Sequence, residues 1–164
     1  MTQTAEFMEP PSSGKVTILN ESGFNLPADS LQVAVATAFA IHGVPEAEAC
    51  VLLCTDEHIL ELNRQFRGIS EATDVLTFPS GERSNLGDIA ISAPYAMRQA
   101  EARGCSLEEE LSFLAIHGAL HLVGFDDQTE RERAEMVDEM NQVAHRIGLK
   151  QDLEWASLLH EEAV

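Results

Sequence analysis

His117-Gly118-Ala119-Leu120-His121-Leu122-Val123-Gly124-Phe125-Asp126-Asp127 is the stretch around which the rest of the chain is read. Two histidines four residues apart on a helix stand one above the other on the same face, so both imidazoles can reach a single ion. Gly124 comes three residues after His121 and can end that helix in a left-handed turn that other residues resist. The chain then doubles back, and Asp126 or Asp127 can meet the histidines from the side. Two imidazoles, a carboxylate and an open position make the donor set of a catalytic metal site, because structural sites close their fourth position.

A histidine pair at this spacing is common in apolar helices, where it is ordinarily a satisfied core or boundary feature. The glycine and the aspartates shift the balance, because ligands and turn arrive together. The spacing His-x3-His-x2-Gly-x2-Asp also matches the metzincin peptidases, with one absence. Those enzymes place a glutamate general base directly after the first histidine, and here that residue is Gly118. Peptide hydrolysis by that route lacks its proton acceptor.

Composition bounds the remaining classes. A chain of 164 residues, 45% hydrophobic and 23% charged, suits one globular domain with a sizeable core. No apolar run approaches the ~20 residues that span a bilayer, and the first residues lack the basic and apolar regions of a signal peptide. Three cysteines do not make a disulfide framework, so a cytoplasmic protein with reduced thiols is expected. The formal charge of −18, from 10 Lys and Arg against 28 Asp and Glu, repels nucleic acid and anionic membrane at long range. Any RNA role then needs local basic groups, a metal ion or a partner.

Residues 1–14 end in Glu9-Pro10-Pro11-Ser12-Ser13-Gly14 and are expected to be a disordered tail, with 15–164 as a single domain. Alternation of Val16 and Ile18 predicts a first strand. A helix follows from the Ala28-Asp29-Ser30 region to about His42, then a buried strand over Ala49–Cys54. Thr55 or Asp56 caps a helix through Phe66. Asp74 to Pro79 reads as a strand that Pro79 ends or confines to an edge, and Leu86 to Ser92 as a fourth. Ser92 with Pro94 opens a helix to about Arg103. Capping boxes at Ser106–Glu109 and Thr129–Glu132 launch the histidine helix and the one after it. Lys150 to Val164 forms a last short helix or frays. The expected class is α+β, about four strands in a mixed sheet with five to six helices, and the metal site at the end of a central helix. Strand order is not readable from one sequence.

His117 to Asp126 resembles the signature His-Gly-x-Leu-His-Leu-x-Gly-Tyr-Asp-His of the YbeY family, bacterial metal-dependent endoribonucleases. Leu62-Asn63-Arg64-Gln65-Phe66-Arg67, Thr73-Asp74-Val75-Leu76-Thr77-Phe78-Pro79 and Leu86-Gly87-Asp88-Ile89-Ala90-Ile91-Ser92 are similar to three further blocks of that family. The likeness covers about residues 50 to 145. It implies a zinc-dependent, single-strand-specific endoribonuclease that matures the 3′ end of small-subunit ribosomal RNA and serves ribosome quality control. It implies ribosomal RNA and the small subunit as partners, reached through a ribosomal or GTPase protein. It implies that Arg67 contacts the RNA phosphate, for which a guanidinium fork is well suited.

The chain departs from the family at the third metal ligand, where Asp127 replaces histidine. Three readings stay open: Asp127 ligates directly, Asp126 swings in, or the site has lost its metal and keeps a binding role. The first is preferred, because the offset is the family's own. A carboxylate there lowers the site's charge by one and admits harder metals such as manganese. Expected metal ligands are therefore His117, His121 and Asp127, with Arg67 on the phosphate. A metal hydrolase of another substrate, or a non-catalytic ribosome-associated protein, are the alternatives.

Other candidates weigh less. Cys50, Cys54 and His58 are evenly spaced, but on a strand the two cysteines lie about 13 Å apart. Both read as small buried hydrophobes. Cys105 beside a helix start has no evident base. His145 reads as a favourable charge at a helix end, and His42 and His160 as equally ordinary. Asp74 and Asp88 could help a metal or orient Arg67, and equally could be turn or strand-end residues.

Overall fold

The computed structural model describes residues 15–156. The expected tail at 1–14, His160 and the end of the expected last segment lie outside the described residues. Nine elements follow in order: β1 (Val16–Asn20), α1 (Ala28–Ile41), β2 (Glu48–Cys54), α2 (Asp56–Arg67), β3 (Val75–Pro79), β4 (Asn85–Ser92), α3 (Ala93–Arg103), α4 (Leu107–Leu122) and α5 (Glu130–Arg146). The α+β class, the four-stranded mixed sheet and the five helices agree with the sequence reading. Residues 151–156 form turn and coil, not the start of a helix.

The strands lie in the order β1-β2-β4-β3. β1, β2 and β4 run parallel, and β3 returns antiparallel along β4 at the sheet edge. Pro79 closes β3 at that edge, where a missing N–H costs no central ladder bond. Gly87 of β4 has φ +135°, and a Cβ there would stand 2.2 Å from the Phe78 carbonyl oxygen. Only glycine lets the two strands approach so closely.

Helix starts follow the capping signals. Side chains of Thr55, Ser92, Ser106 and Thr129 each accept a backbone N–H from the first turn. At Ser106 and Thr129 the third helical residue, Glu109 or Glu132, reciprocates as a capping box. Such caps contribute about 1 kcal/mol each.

Alternation along the strands sends side chains to two cores. Val51, Leu53, Ile89 and Ile91 join α1 and α4 in the main core. Cys54, Leu76 and Ala90 meet Ile59 of α2 in a smaller one. Helices therefore cover both faces of the sheet. α4 is buried on nearly all sides, as a helix at the centre of a domain must be. Its one buried charge, Glu110, accepts hydrogen bonds from Gln99 Nε2 at 2.8 Å and Arg103 Nε at 2.9 Å. Burial pushes the Glu110 carboxyl above its ordinary range, and Arg103 offsets part of that rise. At Gly118 the helix presses on the sheet, since a Cβ there would lie 2.7 Å from Ile89 Cγ2.

Candidate metal centre

The last two turns of α4 carry His117 and His121 with their Nε2 atoms 3.2 Å apart. Their rings meet edge to face at 4.7 Å between centroids. Asp127 Oδ2 stands 3.5 Å from His117 Nε2 and 3.3 Å from His121 Nε2. One ligand atom from each residue lies within 4.8 Å of the others, and among the described residues no other His, Cys, Asp or Glu group does this.

The return of the chain after α4 creates this convergence. Gly124 takes φ +112°, its N–H donates to the His121 carbonyl, and the Phe125 N–H donates to that of Leu120. The Phe125 ring packs edge-on against His42 at 5.0 Å. Its carbonyl lies 3.0 Å from His121 Nδ1. A proton on Nδ1 donated to that carbonyl leaves the Nε2 lone pair for a metal. His117 Nδ1 is buried without a partner among the described residues, beside the Trp155 ring at 5.3 Å. Nε2 is thus the nitrogen that each histidine turns toward the other and toward Asp127. Asp126 is exposed, and its Oδ1 accepts the N–H of Asp127 at 2.9 Å. It shapes the loop, while Asp127 meets the imidazoles.

Electrostatics fit the same arrangement. Hydrogen bonds from His117 and then His121 hold the Asp127 carboxyl far below the usual carboxylate range. Burial alone would lower His121, but hydrogen bonding to Asp127 leaves it above its ordinary value. Two imidazole nitrogens and one carboxylate oxygen suit a divalent ion that keeps an open position.

The group opens into a cleft of about 590 Å³ lined also by Arg67, Asp74 and Arg133. Arg67 ends α2, which Gly68 caps in the left-handed region at φ +73°. The buried Asn63 fixes the following loop by donating to the Glu71 carbonyl at 2.9 Å. In the block Leu62 to Arg67, then, Asn63 builds the loop and Arg67 reaches the cleft. Asp74 lines the cleft but is buried, and its Oδ1 accepts the Val75 N–H at 2.7 Å. Asp88 is exposed on β4 and takes no part in the cleft lining.

The other expected bystanders stay apart from this site. Cys54 is fully buried, and burial followed by Glu21 and Asp56 pushes its thiol up to about 12. Burial raises Cys50 and Cys105 as well. His42 pairs with Glu139 at 3.1 Å, and His145 is exposed in the last turn of α5. Sequence reasoning missed Arg133 and Trp155 as cleft residues. Arg133 looks like one more charge on a solvated helix, and Trp155 sits in a segment expected to form a short helix or fray. A lone tryptophan in a polar tail was the available signal, since so large an apolar ring ordinarily finds a seat.

A family profile described as Endoribonuclease YbeY matches residues 21–148. Relatives carrying that description include a Shouchella clausii protein, 36% identical over 150 residues that span 80% of this chain and 94% of the relative. A Moorella thermoacetica protein is 40% identical, across 74% of this chain and 86% of its own. A Rhodopseudomonas palustris protein is 42% identical, across 63% of this chain and 58% of its own length. The solution structure of a Thermotoga maritima protein superimposes with a TM-score of 0.61 at 29% identity, covering 80% of this chain and 88% of that one.

Proposed function

This chain belongs to the YbeY family of endoribonucleases, metal-dependent enzymes implicated in ribosomal RNA maturation, and from that premise we propose how its cleft works. His117, His121 and Asp127 hold one zinc ion, and Arg67 grips the phosphodiester to be cut. The substrate is single-stranded RNA at the 3′ end of the small-subunit ribosomal RNA. The observation that supports this reading is the shared cleft, in which three convergent ligand atoms and an exposed guanidinium line one cavity.

A divalent ion, when bound, supplies Lewis acidity toward a phosphoryl oxygen and a water acidic enough to attack near neutral pH. The chain supplies the rest. Phe125 fixes the His121 ring through its carbonyl, and Trp155 walls His117 on its buried side. Asp127 brings the negative charge that offsets the ion. Among the described residues Arg67 has no carboxylate within ion-pair distance, so its fork is free for a phosphate and for the charge that builds on it. With a carboxylate as third ligand, manganese is the next metal we assign.

A peptide hydrolase is the weaker reading. The position for a glutamate base after His117 faces Ile89 at a distance that already rejects a methyl group. The net charge of −18 disfavours unaided RNA capture, so we assign delivery to a ribosomal or GTPase partner on the small subunit, in the cytoplasm. We assign 15–164 to one domain. No helix among the described residues is long and apolar enough to cross a membrane.

The test is cleavage of single-stranded against duplex RNA by zinc-loaded protein, with Arg67→Ala beside it. Cleavage confined to single strands and lost in the variant, with metal retained, supports the reading. Full activity in the variant, or loss of its metal, overturns the role given to Arg67.

A further inference from the structure

We propose that Arg133 is a second phosphate-binding residue of the cleft, gripping the RNA backbone beside the phosphate held by Arg67. The inference rests on the RNA reading above and adds to it a residue on a different element.

The chain has ten Lys and Arg residues. Lys15, Arg64, Arg98, Arg103 and Arg131 each lie within ion-pair distance of a carboxylate. Arg67, Arg83, Arg133, Arg146 and Lys150 do not, among the described residues, and of these five only Arg67 and Arg133 line the metal cleft. In so acidic a protein, an unpaired guanidinium keeps its full attraction for an anion.

The way Arg133 is held favours the same role. Its Nη1 lies 3.2 Å from the Asp127 carbonyl oxygen and 3.3 Å from that of Gln128. Nη1 carries two hydrogens, and these two acceptors use them. Nε and Nη2 have no acceptor among the described residues, and together they form the side-on edge that takes two oxygens of a phosphate. The side chain is exposed yet fixed at one end, so less rotamer freedom remains to be lost on binding. Its anchor is the loop that presents Asp127, which sets the guanidinium beside the metal ligands. Arg131, two residues earlier, points the contrast: it is exposed and pairs with Glu135 of its own helix.

The experiment compares wild type and Arg133→Gln, both zinc-loaded, on labelled single-stranded RNA between 50 and about 200 mM salt, the span over which phosphate contacts are felt. The variant is expected to raise KM about tenfold with kcat nearly kept, at unchanged metal content. Its salt slope should shrink by about 0.7, one phosphate contact for a single strand. Wild-type KM and slope in the variant overturn the inference while leaving the RNA reading intact. A fall in metal content that accounts for the lost activity also overturns it, since Arg133 would then only hold the loop. A wild-type protein that neither binds nor cuts RNA overturns the reading beneath it. Arg133→Lys separates charge from geometry: it should recover the slope but little of the KM, because an ammonium cannot serve two carbonyls and a bidentate phosphate together.

Discussion

The chain contains two runs of cysteine or histidine at the same spacing, and only one of them converges. Cys50, Cys54 and His58 step by four, as His117 and His121 do. The cysteines lie on β2, where four residues of rise separate them by about 13 Å, and His58 belongs to α2. The histidines lie on α4, where the same step is one helical turn, and their Nε2 atoms stand 3.2 Å apart. Spacing therefore has no chemical meaning until the secondary structure is known. The loop after the second histidine completes the difference, because Gly124 turns the chain so that Asp127 returns to the pair.

Of the substitutions in the converging run, His121→Ala should have the largest effect. Metal should be lost and RNA cleavage should fall at least about 10³-fold, since one ligand and the Phe125 anchor go together. Metal analysis and a cleavage assay on the same sample check both. Arg67→Ala should cost about 10²–10³ in cleavage, the usual range for removing one donor to transition-state charge, while metal content stays at wild-type level. Dissociation of those two readouts is what distinguishes a phosphate contact from a ligand.

Smaller effects sharpen the contrast. Gly118→Ala inserts a methyl against Ile89 and should cost about 1–3 kcal/mol, lowering Tm by about 2–4 °C per kcal/mol in a domain of this size. In an Ile89→Ala background the same methyl should cost less, and a thermal-melt double-mutant cycle measures the coupling. The strand run should respond least. Cys50→Ser and Cys54→Ala should leave metal content unchanged. Because the Cys54 thiol is raised to about 12, its thiolate is scarce below that pH. Alkylation by iodoacetamide in the folded protein should stay slow through pH 9 and accelerate on unfolding.

Much of this was legible because it is local. The capping boxes at Ser106 and Thr129 marked the starts of α4 and α5, and Gly124 marked where the histidine helix turns back. His117, His121 and Asp127 could be grouped because eleven residues and one turn hold them all. What depends on distant packing was hidden. The order β1-β2-β4-β3 rests on pairing between strands far apart in sequence. The reason for glycine at 118 is Ile89, on another element. Arg131 and Arg133 look alike in the sequence, and only the path of the loop sends one to Glu135 and the other to the carbonyls of Asp127 and Gln128. Trp155 stands nine residues past α5 and earns its role only by folding back on His117.

Everything proposed for the cleft depends on Asp127 completing a metal site begun by the two histidines. The direct test is metal content by mass spectrometry of protein purified without chelators, for wild type beside Asp127→Ala. One equivalent of zinc or manganese in the wild type, falling well below stoichiometry in the variant, is the predicted result. Equal occupancy in both, or a wild type that binds no metal even when supplied with it, would contradict the claim.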